Sequence, residues 1–218
     1  MPGATGPGTT TPSGTLRERA VRAAARCIAQ ERRVEMQRVA DELGVSRVTL
    51  FRSIGARDEL LSEALWLLTE GMLHAALRRW EAERPDGARY TTGTGHHINA
   101  LVSRSKPLHR LLDDEPALTI KVLTDPRGPV QTGVVAFVEA LLRRDVEELG
   151  YVPITDPHDL AYALVRLGES FVYADVLAAR PPDIVTANRL QQALVEGARP
   201  QPDPCRRRTA TTRKKATT

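Results

Sequence analysis

The stretch Met36–Leu61, MQRVADELGVSRVTLFRSIGARDELL, concentrates the side chains best suited to recognition chemistry. Gln37, Arg38, Ser46, Arg47, Thr49, Arg52, Ser53 and Arg57 all carry hydrogen-bond donors, and the four arginines among them carry fixed positive charge. A guanidinium fork matches the O6 and N7 of guanine or a pair of phosphate oxygens, and amides and hydroxyls complement base edges and the backbone. Two short helical patterns flank Gly44-Val45. Gly44 can take the left-handed conformation that ends the first, and Ser46 is a natural N-cap for the second. Ala40 suits a close helix crossing, and Val45 and Leu50 can fix its angle. The pattern predicts a helix-turn-helix whose second helix can enter a major groove about 12 Å wide. Ser46, Arg47 and Thr49 stand at the start of that helix, where side chains reach base edges, with Arg47 best matched to guanine. Arg52 and Arg57, with Gln37 and Arg38 on the preceding helix, are expected at phosphates. Free backbone amides at the start of the helix near Arg57 suit an anion as well. A solvated basic face explains any single arginine; the set at this spacing favours DNA.

Elsewhere the candidates are a pocket and a false trail. Trp66, Phe137, Tyr162, Phe171 and Tyr173 supply most of the aromatic surface, with Arg166 and Glu169 as polar companions. They are candidates for a ligand pocket between the long helix and the body helices, although core or dimer surface explains each one singly. His96-His97 invites a metal reading, but neighbouring helical residues point about 100° apart, and no Asp/Cys cluster accompanies them. We find no Gly-rich phosphate loop and no nucleophile–base set. No enzymatic activity, metal or cofactor is expected. Cys27 and Cys205 are too few for a disulfide framework or a zinc site, and Cys27 reads as a small core residue.

The elements that must hold these residues are helical throughout. Apolar residues recur at three and four positions, with no alternating run or hairpin dipeptide. Helices are expected over Leu16–Gln30, Met36–Leu43, Ser46–Ile54, Arg57–Trp80, His96–Ser103, Pro107–Leu112, Pro116–Leu123, Val130–Leu149, His158–Ala179 and Asp183–Val195. Val48, Phe51 and Ile54 are expected inward on the third. Arg84–Gly95, with Pro85, Gly87, Gly93 and Gly95, reads as a loop. The fold class is all-α: a three-helix DNA-binding head over 15–60 and a larger helical bundle for ligand binding and dimerisation over 61–197. Residues 1–14 and the basic tail 198–218 have the composition of disordered ends. The helices over 130–149 and 158–179 are apolar around more than half their circumference, so each must bury two sides. One side suits the core, and the other suits a homodimer packed as a four-helix bundle.

Charge is segregated along the 218 residues, whose net is +4. Residues 16–60 carry ten arginines against seven acids, 61–198 a net −5 and 199–218 a net +6. A basic head on an acidic body is what a protein docking one end on phosphates shows. No apolar run is long enough for a membrane span, and the N-terminus lacks the features of a signal peptide, so a cytoplasmic protein with no membrane partner is expected.

The sequence Gly44-Val45-Ser46-Arg47, Thr49-Leu50-Phe51-Arg52, Gly55 and Arg57-Asp58-Glu59-Leu60-Leu61 resembles the DNA-binding head of the TetR family, over about residues 16–65. The resemblance implies a third helix that reads DNA and a fourth, long helix joining head to sensor. Leu50-Phe51-Arg52, Gly55-x-Arg57-Asp58 and Leu65-Trp66 are similar to the subgroup named for quorum-signal degradation regulators, which implies a lactone or another small hydrophobic effector. The sequence departs from the family where Ser53 replaces an aromatic or His that donates to phosphate, where Ile54 replaces an aromatic, and where Glu35 replaces a Thr or Ser cap. Ser53 still offers one hydrogen bond to a phosphate. The function these features imply is repression from a palindromic double-stranded operator, released by an effector. Two alternatives stand beside it: a helical small-molecule-binding protein or enzyme with a vestigial helix-turn-helix, and an architectural DNA binder relying on the basic tail.

Overall fold

In the structure, a computed structural model, residues 14–174 and 181–197 are described. They form ten helices and no strand: α1 (Leu16–Ala29), α2 (Met36–Glu42), α3 (Arg47–Ile54), α4 (Arg57–Glu83), α5 (Tyr90–Ser103), α6 (Lys106–Asp114), α7 (Pro116–Thr124), α8 (Pro129–Leu149), α9 (Pro157–Val172) and α10 (Ile184–Glu196). The expected disordered ends 1–13 and 198–218, Cys205, and the last part of the helix expected to reach residue 179 lie outside the described residues. The chain divides into two compact units, one made of residues up to Gly71 with Ser105–Thr132, the other of Met72–Arg104 with residues from Gly133 onward. The division falls inside α4 and α8, and it groups α6 and α7 with the head, whereas the sequence pattern suggested a boundary at 60/61.

In the first unit the starts of α1 and α3 are built from neighbouring residues. Thr15 accepts from the Glu18 amide while Glu18 reaches back to the Thr15 amide, a reciprocal cap on α1. Ala20, Ala23 and Ala24 are fully buried on α1, and such small side chains let helices pass closely. Gly44, with φ of 67°, ends α2. The Gly44 amide donates to Asp41 O and the Val45 amide to Ala40 O, a pairing that satisfies two carbonyls at the helix end and turns the chain sharply. Ser46 Oγ accepts from the Thr49 amide at 3.0 Å and so opens α3. Val34, Val39, Ala40, Leu50, Ile54, Leu60, Leu61 and Ala64 form the interior of this unit.

The second unit is organised by contacts far apart in sequence. Val135, Leu142, Tyr151, Leu160, Ala161, Leu164, Val165 and Val195 form one core cluster from α8, α9, α10 and the link after α8. Asn99 Nδ2 donates to Asn188 Oδ1 and Gln191 Oε1, and Gln191 Nε2 donates to Leu164 O, tying α5, α9 and α10 together. Here the sequence reading needs correction, because α5 begins at Tyr90, inside the expected loop. The carboxylate of Asp145, fully buried, accepts from the Tyr90 amide at 2.6 Å and the Thr91 amide at 3.0 Å. It thereby satisfies two of the orphan donors at the start of α5. Gly93 lies so close to the Trp80 ring that a Cβ would sit 2.0 Å from Cε2. The glycine that signalled a loop is there for tertiary packing.

Candidate nucleic-acid interface

Helix α3 is eight residues long, and the angular spacing of its residues sorts them cleanly. At about 100° per residue, Leu50 and Ile54 share the inward arc, and both are buried. Arg47, Phe51, Val48 and Arg52 then follow in order around the outward arc, and all four are exposed. Val48 is 60% and Phe51 57% exposed. The expectation that these two face inward with Ile54 is therefore corrected: three or four positions from Leu50 and Ile54 is inward, and Val48 and Phe51 are not at that spacing from both. Thr49 lies at the edge of the arc, with its hydroxyl 2.8 Å from Ser46 Oγ. Ser53 is half-buried, and its carbonyl accepts from Arg17, which also pairs with Glu63.

On α2, Gln37 and Arg38 are exposed, Gln37 donating to Asp41 at 2.7 Å. Glu35 makes no side-chain cap to α2, as its replacement of a hydroxyl residue leads one to expect. Arg57 is arranged differently from the sequence expectation. Its guanidinium is half-buried, donates to Val34 O at 2.6 Å and grips Glu115 through two 2.7 Å bonds. Arg33 reaches the same carboxylate at 3.0 Å. The Arg57 guanidinium, with Arg33 beside it, holds the Glu115 carboxyl below its ordinary range. Glu115 stands where α6 meets α7, and the sequence reading did not single it out. No local signal marks it, because its partners lie 58 and 82 positions away.

The expected ligand residues fall into both units. In the first, Trp66 lines an open groove of about 960 Å³ with Val21, Leu67, Lys121 and Pro129. In the second, Phe137 meets His74 edge-on, ring centres 5.6 Å apart. Tyr162 and Arg166 lie exposed on the outside of α9, so neither lines an interior space of this unit. Arg166 bonds Glu169 at 2.7 Å. Burial nevertheless outweighs that partner and pushes the Glu169 carboxyl up to about 7. Phe171 is half-buried and Tyr173 buried, and burial raises the Tyr173 phenol.

Reading 84–95 as a loop hid the threonines that stand beside His96 on α5. Thr92 Oγ1, Thr94 Oγ1 and His96 Nε2 on α5 are buried without a hydrogen-bond partner. Such groups carry a desolvation cost until something bonds to them. Burial and the neighbouring His97 lower the His96 pKa and keep the ring neutral. His97 instead bonds Glu83 at 2.5 Å. Among the described residues, no three metal-ligating side chains converge, and no helix is long and apolar enough to cross a membrane.

Residues 86–196 match the sequence profile of a family described as "Tetracyclin repressor-like, C-terminal domain". No curated protein sequence matches the chain significantly. The structure of the R. erythropolis transcriptional repressor QsdR, from the TetR family, superposes with a TM-score of 0.75 at 28% identity, over 86% of this chain and 97% of that one. Thermus thermophilus FadR, a TetR-family repressor in complex with lauroyl-CoA, gives 0.56 at 18% identity over 86% and 97%, a likeness of fold. The profile covers more than half of the sequence, and a helix-turn-helix head precedes it, so this chain belongs to the TetR family of transcriptional regulators.

Proposed function

We propose that the protein represses transcription by binding a palindromic double-stranded DNA operator as a homodimer, and that a small hydrophobic effector releases it. The observation that carries this reading is the outward arc of α3, where Arg47 and Arg52 flank an exposed surface on a scaffold fixed by the Gly44 turn and the Ser46 cap. In this reading Arg47 contacts a guanine, Thr49 and Ser46 meet base edges, and Arg52, Ser53, Gln37 and Arg38 hold phosphates. Arg57, held by Glu115, sets the start of α4 and meets DNA only if that pair opens.

The 28% identity to a repressor over nearly its whole length favours repression, and with it a QsdR-like subgroup. The unpartnered hydroxyls and neutral imidazole of α5 favour an uncharged effector with hydrogen-bonding groups on an apolar body, as in a lactone. Glu169, Phe171, Tyr173 and Phe137 of the second unit remain effector contacts in this proposal, Trp66 belongs to the first unit's own groove, and the exposed Tyr162 and Arg166 are better placed for the dimer. Ala136 and Ala140 on α8 and Tyr162, Ala163 and Arg166 on α9 are exposed and supply the face for a symmetric four-helix contact within 130–149 and 158–179. The basic tail adds affinity by counterion release, independent of sequence. The site of action is the cytoplasm.

A gel-shift series against DNA flanking the protein's own gene tests the reading. Specific retardation that survives moderate salt and competitor DNA is expected, with a dimer by light scattering. No specific retardation at any salt, or a monomer at working concentrations, overturns it. Mass spectrometry of co-purifying small molecules identifies the effector.

A further inference from the structure

The exposed arc of α3 has two cations at its edges and two apolar side chains at its centre. More than half of the surface of Val48 and of Phe51 is left in solvent, although Leu50 and Ile54 on the same helix are fully sheltered. Exposed valine and phenylalanine on an eight-residue helix leave apolar surface in water. The four side chains occupy one continuous face, at angular positions of about 0°, 40°, 100° and 140° for Arg47, Phe51, Val48 and Arg52. Any partner of this face must therefore present negative charge on both sides of an apolar feature. Duplex DNA does so in its major groove, where the C5 methyl group of thymine is the apolar feature and phosphates border the groove.

We propose that Val48 and Phe51 are specificity-determining residues that recognise thymine methyl groups in the operator half-site, between the contacts of Arg47 and Arg52. This inference rests on the DNA-binding reading above. Val48 lies next to the helix N-terminus, the end from which recognition helices usually reach base edges, and so reads the deeper methyl. Phe51 is about 4.5 Å further along the axis, somewhat more than the roughly 3.4 Å spacing of successive bases on a strand. Its methyl belongs to an adjacent or next-but-one base pair. The half-site then carries guanine for Arg47 with thymine one or two steps away. Thr49 is left the smaller role at the arc's edge, with its hydroxyl already engaged by Ser46.

The test uses the full chain and random-sequence duplexes. Repeated selection yields the preferred half-site, and each thymine in it is then replaced singly by deoxyuridine, which removes the methyl and preserves pairing. Losing one buried methyl is expected to weaken wild-type binding by about fourfold at two positions of the half-site and not at the others. Val48→Ala is expected to abolish the thymine preference at one of these positions and Phe51→Ala at the other, with retained circular dichroism and melting temperature. Wild-type protein indifferent to uracil at every position overturns the proposal. So does a Val48→Ala, Phe51→Ala double variant that keeps the discrimination, which assigns the two side chains to a protein partner. A selection that enriches no sequence at all instead overturns the DNA-binding reading on which the proposal rests.

Discussion

Helix α3 starts on a hydroxyl three residues away, Ser46, which accepts from the Thr49 amide, whereas α5 starts on the carboxylate of Asp145, 55 positions along the chain from Tyr90. Both devices satisfy the orphan amides of a first turn. They differ in what must be folded before they act. The α3 cap forms as soon as its own turn forms, so the segment can carry its function as an autonomous motif. The α5 cap exists only once α8 is packed, so the start of α5 is a product of the second unit's tertiary structure. The head presents the exposed arc of α3 through local rules, and the body makes its interior through distant ones.

Asp145→Ala is the most direct way to break that comparison. It leaves two buried amides without an acceptor, and we expect a loss of about 3 kcal/mol or more in denaturant unfolding, with α5 fraying before the rest. A loss no greater than that of a local cap removal would show that the distant carboxylate is not what starts α5.

The two units should also respond to pH with opposite sign. Burial raises the Glu169 carboxyl to about 7 in the folded second unit, so its contribution is fully present below the ordinary value near 4.5 and lost as pH rises through 7. Glu169→Gln should flatten the stability profile between pH 5 and 8 by about 1 to 3 kcal/mol, as read by thermal melts across that window. A variant profile parallel to the wild type would remove Glu169 as the source. Arg57 lowers Glu115 in the first unit, so that contribution is present above the ordinary carboxylate value and lost as pH falls below it. Glu115→Gln should cost about 1 to 2 kcal/mol at neutral pH, and that cost should shrink as acid protonates the wild-type carboxylate. A cost that stayed constant with pH would mean that charge is not what binds Arg57 and Arg33.

Ser46→Ala is the smallest perturbation, expected at about 1 kcal/mol. Its melting transition should shift slightly, and recognition should suffer more than stability, because the same residue positions Arg47. A stability loss as large as that of Asp145→Ala would sharpen the comparison against us, making the local turn a global support.

The turn at Gly44, the Ser46 cap and the inward placing of Leu50 were legible because each is a relation between residues one to five positions apart. The inward expectation for Val48 and Phe51 failed on the same local geometry: the helical angle outweighs apolarity, and these apolar residues are on the exposed arc. The second unit yielded less. A run of Thr-Thr-Gly-Thr-Gly reads as a loop on local propensity, yet it is helical because Asp145 caps it and because Trp80 requires a glycine at 93. Neither partner can be seen from within the segment.

By itself the sequence determined the all-helical class, the head motif and the family, because period, caps and turn residues act over one or two helical turns. Only the tertiary structure decided that Glu115 holds Arg57, that α6 and α7 join the head unit, and where α5 begins. Those are choices of partner among groups tens of residues apart, set by desolvation and close packing, and no local spacing encodes them.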